Sequence, residues 1–243
     1  GIQSVLDSLQ YTKEEPAQSR NAESITEVGL TVLKSGDTIT SEKFFIPKGS
    51  WRKIKVPATW AIIDHPKEGP IIFDTGYSRR YSEDTKRFPF KIASIVTPAA
   101  INAEEEAVAQ VRARDIDPAE VRWLILSHFD PDHYGGLRDF PNARIVCTAE
   151  AWESVRGKTG WAAFRVRMMP GHLPEDIAGR LYILPKFTGP EIGPFARSHD
   201  LFNDNAIRFV ETPGHAAGQI AAFVRTEKGE VLLAADAARA VAA

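Results

Sequence analysis

Hydrophobic and polar positions change their period several times along this chain. Residues 1–24 are polar and broken by "KEEP", and are expected to form a short helix and a loosely held N-terminal arm. From residue 25 the pattern is strand-like. "ITEVGLTVLKSGDTIT" alternates around a "SGD" turn, and "WRKIKVPATWAIIDHPKEGPIIFDTGY" reads as two or three strands joined at "HPKEG". "NAEEEAVAQVRARDIDPAEV" then places apolar residues at helical spacing behind a candidate N-cap, Asn102, with acids in the first turn. It leads directly into the continuous apolar run "VRWLILS", a buried strand.

Beyond residue 140 the same α-and-β alternation continues. "ARIVCTA" is a strand containing Cys147, and "AEAWESVRG" a helix stopped by Gly157. Residues 158–205 have no clear period and are rich in Gly, Pro and aromatics, which suggests an insertion or lid. Strands resume at "AIRFVETPGH", "QIAAFVRT" and "EVLLAAD", with "EKG" as a hairpin turn. The expected organisation is therefore an arm (1–24) and one α/β domain (25–243) that carries the 158–205 insertion.

Composition narrows the class. A chain of 243 residues with 43% apolar side chains can bury a sizeable core. The formal net charge is −2 with both signs interspersed, so no footprint for nucleic acid or an anionic surface stands out, and a small-molecule partner is expected. No segment approaches a membrane span. The single cysteine excludes an internal disulfide framework and any multi-thiolate zinc site, and fits a reducing, cytoplasmic setting. No feature of the sequence indicates an oligomeric state.

The chemistry concentrates in "LSHFDPDHYGGL", residues 126–137, where His128, Asp130, Asp132 and His133 stand at the end of an apolar strand ahead of a glycine pair. Each alone would be an ordinary capping or surface residue. In extended backbone, though, His128, Asp130 and Asp132 share a side while the following loop turns His133 toward them, so four ligands can converge. Imidazole and carboxylate without thiolate suit zinc, iron or manganese in a catalytic site with open positions.

This stretch resembles the signature of the metallo-β-lactamase fold superfamily, usually His-x-His-x-Asp-His followed by small residues. Three further landmarks occur in the expected order: "IIFDTGY" (71–77), "ETPGHAAGQ" (211–219) and "LLAAD" (232–236). The resemblance implies a four-layer αβ/βα sandwich, two mixed sheets face to face with helices outside and metals at one edge. It implies two divalent metal ions, zinc first: His128, Asp130 and His215 on one, Asp132 and His133 on the other, Asp236 bridging. It leaves Asp74 either behind the ligands as an orienting carboxylate or as a cap of the turn at Gly76, and gives Asp132 a catalytic role in positioning water and passing a proton. The activity implied is hydrolysis by a metal-bound hydroxide. The N-terminal half looks most like the N-acyl-homoserine lactonase branch, so a lactone or other carboxylic ester is the expected substrate, with Tyr134 as a weak candidate for polarising its carbonyl.

Two departures from the pattern bear on this. Asp130 replaces the second histidine, which hardens that site and improves the case for iron or manganese. No histidine follows Asp236, so either a last strand and helix lie beyond residue 243 or one metal has fewer protein ligands. The lactonase tyrosine expected shortly after the bridging aspartate is also missing, with Arg239 standing nearby instead. The competing readings are another hydrolase of this fold, acting on a phosphoester, thioester or β-lactam, and a degenerate metal-binding protein without catalysis. His65, in the turn "DHPKEG", is expected at the surface, and His172 and His199 are expected to be loop residues.

Overall fold

The computed structural model describes residues 25–44 and 48–237. The arm and Arg239 lie outside that range. Eleven strands are described: β1 (Gly29–Ser41), β2 (Lys53–His65), β3 (Gly69–Phe73), β4 (Ala99–Ala100), β5 (Trp123–Ile125), β6 (Arg144–Thr148), β7 (Leu181–Leu184), β8 (His199–Asp200), β9 (Ile207–Glu211), β10 (Ile220–Thr226) and β11 (Gly229–Leu233). They form a seven-stranded mixed sheet, ordered β4-β1-β2-β3-β5-β6-β7, and a four-stranded sheet, ordered β11-β10-β9-β8. Strands β3, β5, β6 and β7 are mutually parallel neighbours, whereas the small sheet is antiparallel throughout its described strands rather than mixed.

Side-chain alternation sorts each central strand of the large sheet between two cores. Ala61 and Ile63 of β2, Ile71 and Phe73 of β3, Trp123 and Ile125 of β5 and Val146 of β6 meet Ile207, Phe209, Ile220, Ala222 and Val224 of the small sheet. Their immediate neighbours Trp60, Ile62, Ile72, Leu124, Ile145 and Cys147 face the other way, into a core shared with helices. A parallel strand covered on both faces must be apolar on both, which is why "VRWLILS" shows no alternation. Each Val, Leu, Ile or Phe among them contributes about 1.5–3 kcal/mol by leaving water.

The helices are short: α1 (Arg80–Asp84), α2 (Lys91–Val96), α3 (Ala107–Arg112), α4 (Pro131–Tyr134), α5 (Ala149–Val155), α6 (Gly160–Arg165) and α7 (Ile177–Arg180). The helical pattern behind Asn102 opens as a 3-10 turn, Ala103–Glu105, before α3; the Asn102 side chain reaches Glu105 and makes no capping bond. Helix α5 is capped by Thr148, whose Oγ1 accepts from Ala151 N at 3.1 Å, and Gly157 just beyond it has φ 68°.

Two expectations are corrected here. Residues 158–205 do not stand apart as an insertion or lid, because they supply β7 to the edge of the large sheet and β8 to the small one. His65 is buried, not a surface residue. Its Nδ1 accepts from Lys67 N and Glu68 N, which leaves Nε2–H to donate to Asp204 Oδ2 at 3.0 Å and tie the end of β2 to the loop before β9. His172 does fall in a short loop turn and His199 in β8, both outside the cluster described next.

Candidate metal centre

Four strand-end segments meet at one edge of the sandwich. The first runs on from β3 as Asp74-Thr75-Gly76, and the second from β5 as Ser127–Gly136. The third is the β9–β10 loop with His215, and the fourth the 3-10 turn after β11, Ala235–Ala237, with Asp236. Backbone contacts fix the first two against each other. Thr75 N donates to His133 O, Gly135 N to Gly76 O at 3.0 Å, and Gly136 N to Thr75 Oγ1 at 2.9 Å. A Cβ on Gly135 would stand 2.6 Å from Ser78 N and 2.8 Å from Gly76 O, so only glycine allows this approach. The third segment is attached through Ile220 N to Ser127 O at 3.1 Å and through Thr148 Oγ1 to Gly218 O at 2.7 Å.

Asp74 organises the interior of the cluster. It is buried, with φ 57°, and its carboxylate accepts from Ser127 N, Ser127 Oγ and His133 Nδ1, each at 2.8 Å. With its own proton given to Asp74, Ser127 Oγ is left to accept from His128 Nδ1 at 2.9 Å. In their neutral, metal-ligating form both imidazoles are thereby set in the tautomer that presents an Nε2 lone pair to the cluster.

Of the residues expected at the site, the structure gathers His128, His133 and Asp236 into one group of potential donors and His128, Asp130 and His215 into another. In each group the ligand atoms lie within 4.8 Å of one another. Asp236 touches both sides, with Oδ1 3.2 Å from His133 Nε2 and Oδ2 3.2 Å from His215 Nε2. His215 Nε2 is 3.1 Å from Asp130 Oδ2. Asp132, in the first turn of α4, is more peripheral: its carboxylate is 3.8 Å from His133 Nε2 and belongs to neither group. Tyr134 is a correction. It is fully buried, and its hydroxyl accepts from Met169 N at 2.7 Å and donates to Met169 O at 3.0 Å, so it packs behind the cluster and has no free hydroxyl for a carbonyl.

The field in the cluster favours cations. Burial opposes ionisation of Asp130, but His128, His215 and Arg167 outweigh it and hold the carboxyl well below the usual range. Against the same burial, His133, His128 and His215 hold Asp236 at about 2. Burial disfavours a charged His133, yet Asp74, Asp132 and Asp236 push it well above the ordinary histidine value. Enclosure, with Asp130 and Asp236 nearby, pushes Asp132 up. The donor chemistry fits a divalent metal: at the junction of the two groups, buried His128 Nε2 has no hydrogen-bond partner among the described residues.

Two residues at the cluster have no counterpart among the expected ones. Ser127 lies within that stretch directly before His128, and its place at the strand end was the available signal. Arg167 reaches Asp130 and His215 from 37 and 48 residues away in the chain, and nothing in "FRVRMMPG" marks it.

A large mixed sheet and a small antiparallel sheet, with imidazoles and carboxylates converging from strand-end loops, define a metallo-hydrolase type of sandwich. The sequence profile described as the metallo-beta-lactamase superfamily matches residues 55–242, and the chain belongs to this superfamily. It is similar to the N-acyl homoserine lactonase AttM of Azorhizobium caulinodans, 29% identical over 222 residues that cover 88% of this chain and 78% of that protein. Among solved structures, an N-acyl homoserine lactone hydrolase with N-hexanoyl-L-homoserine bound at its catalytic metal centre superposes with a TM-score of 0.64 at 20% identity, covering 86% of this chain and 74% of that one. AidC, a dizinc quorum-quenching lactonase, gives 0.56 at 14% identity, covering 86% and 71%. At these identities the structures establish the shared fold. No described helix is long and apolar enough to cross a membrane.

Proposed function

We propose that this protein is a metal-dependent hydrolase that opens a lactone or cleaves a carboxylic ester, with N-acyl homoserine lactones the first class to test. The observation that carries the reading is the orphaned, buried His128 Nε2 between two three-donor groups. His128, Asp130 and His215 would hold one divalent ion and Asp132 and His133 a second, with Asp236 within reach of either; zinc is the first candidate, and the carboxylate of Asp130 also suits iron or manganese. When bound, the metal supplies Lewis acidity at the carbonyl and makes the attacking water acidic enough to react near neutrality.

The protein's own residues do the rest. Asp74 and Ser127 keep the two imidazoles aimed and their Nδ1 protons occupied. Asp132, partly exposed and with its proton affinity raised by enclosure, is placed to orient the water, take its proton and return it to the leaving alkoxide oxygen. An apolar recess of about 220 Å³, lined by Phe90, Ala93, Val96, Phe164, Met168 and Met169, opens beside Arg167 and suits the acyl chain of such a substrate better than a phosphate. The relationship to AttM points the same way.

The test is turnover of a panel of acyl homoserine lactones, simple lactones, aryl esters, phosphodiesters and β-lactams before chelation, after chelation, and after restoring zinc, iron or manganese. Metal-restored activity on lactones or carboxylic esters is expected. Activity that survives complete chelation, or that is confined to phosphodiesters or β-lactams, would overturn the reading.

A further inference from the structure

Arg167 holds an unusual backbone position. It follows the C-cap of α6, with Arg167 N donating to Phe164 O and Met168 N to Ala163 O, both at 3.0 Å, the paired bonds of a Schellman ending. The residue at that point takes a left-handed conformation and is usually glycine. Here it is an arginine with φ 58°. A side chain's Cβ is disfavoured in that region, and such strain persists where the side chain has a task.

The side chain runs to the candidate centre. Arg167 Nε lies 3.0 Å from Asp130 Oδ2 and 3.2 Å from Oδ1, and Nη2 lies 3.3 Å from His215 Nε2 and 3.2 Å from His215 O. The guanidinium thus grips two of the three donors in the His128, Asp130, His215 group and touches none of His133, Asp132 or Asp236 among the contacts described. Asp130 is the position where the family pattern has histidine. A neutral imidazole there would offer an arginine only an uncharged acceptor, whereas a carboxylate offers a full opposite charge.

We infer that Arg167 is a built-in counter-cation for the Asp130–His215 side of the centre, so that the two metal positions fill unequally. The ion held by Asp132, His133 and Asp236 binds first, and the ion at His128, Asp130 and His215 must displace or tolerate the guanidinium. The substituted aspartate and the strained arginine are then one device. This rests on the metal-centre reading above. An opposite charge within 4–6 Å changes a carboxylate's affinity for a proton by about tenfold or more, and a comparable factor is expected for a divalent cation competing for the same oxygens.

Metal-free protein titrated with zinc against a chromophoric chelator tests this directly. The wild type should load in two steps. In Arg167→Gly, whose new residue is at ease at φ 58°, the second step should tighten by about tenfold. Arg165→Ala, which removes the same charge from the same helix end, should leave both steps unchanged. Urea denaturation should show Arg167→Gly at least as stable as the wild type. Equal second-step affinities in wild type and Arg167→Gly, or a weaker one in the variant, would overturn the inference while leaving the metal centre intact. Absence of zinc binding in every protein would overturn the metal-centre reading and this inference with it.

Discussion

Replacing Asp74 by asparagine asks whether the buried carboxylate orients the cluster or merely fills space. Asparagine is nearly isosteric and among the side chains that best tolerate the left-handed backbone at φ 57°, so the substitution isolates the chemistry from the turn. One oxygen can still accept from Ser127 N. The other becomes an NH2 facing Ser127 Oγ and His133 Nδ1, which now stand 2.8 Å from a carboxylate oxygen. His133 Nδ1 must then accept, its proton moves to Nε2, and the lone pair aimed at the cluster is lost. Hydrogen bonds to a charged group contribute about 1.5–3 kcal/mol each, and with partial compensation by the amide a net loss of about 2–4 kcal/mol is expected in urea denaturation of the metal-free protein. Loss of an orienting partner behind a metal ligand weakens metal binding by about 10–100-fold. Chelator competition with zinc measures that change. A D74N protein that is destabilised but binds zinc within about twofold of the wild type would refute the orienting role, because the tautomer argument allows no such separation.

Three further outcomes follow from the same geometry. Asp204→Asn should destabilise the protein by about 2–3 kcal/mol at neutral pH by breaking the buried bond from His65. Although burial opposes it, the bonds from His65, Ala206 N and Thr26 lower the folded-state pKa of Asp204, so its contribution is full above the unfolded value and is lost as pH falls through the folded one. The wild-type advantage in urea midpoint should therefore shrink below about pH 4, and a constant difference down to acid pH would contradict the assignment. Gly218→Ala should cost about 2–4 kcal/mol, because φ is +63° and the new Cβ would meet Thr148 Oγ1 at 2.3 Å and Ala151 N at 2.4 Å; since that loop carries His215, zinc affinity should fall with it. Burial pushes the Cys147 thiol up to about 12, so a disulfide reagent at neutral pH should react with it only in denaturant.

The strands were legible from local pattern, whereas the grouping of His215 and Asp236 with His128, Asp130 and His133 was legible only through the resemblance carried by the ordered landmarks. An apolar run such as "VRWLILS" has to be covered on both faces, and a histidine at its end has to emerge at a sheet edge. What escaped depends on contacts between distant segments. His65 looks solvent-exposed in a turn of charged residues, and only the arrival of Asp204, 139 residues later, buries it. Tyr134 is adjacent to the ligands in sequence, but the helical turn of α4 sends it to the backbone of Met169. Residues 158–205 lack a period because β7 and β8 are short and separated by irregular chain, so their membership in both sheets leaves little trace. Arg167 is invisible for a further reason: its role rests on a left-handed backbone at a position where glycine is the usual signal.

The central claim is that His128, shared by both donor groups, anchors a metal centre. Metal content of the reconstituted protein, measured by mass spectrometry after removal of loose ions, tests it in wild type, His128→Ala and His172→Ala, the last removing a buried histidine outside the cluster. Zinc retained by the wild type and by His172→Ala but reduced by at least one equivalent in folded His128→Ala is the predicted result. Equal zinc in His128→Ala and the wild type would contradict it.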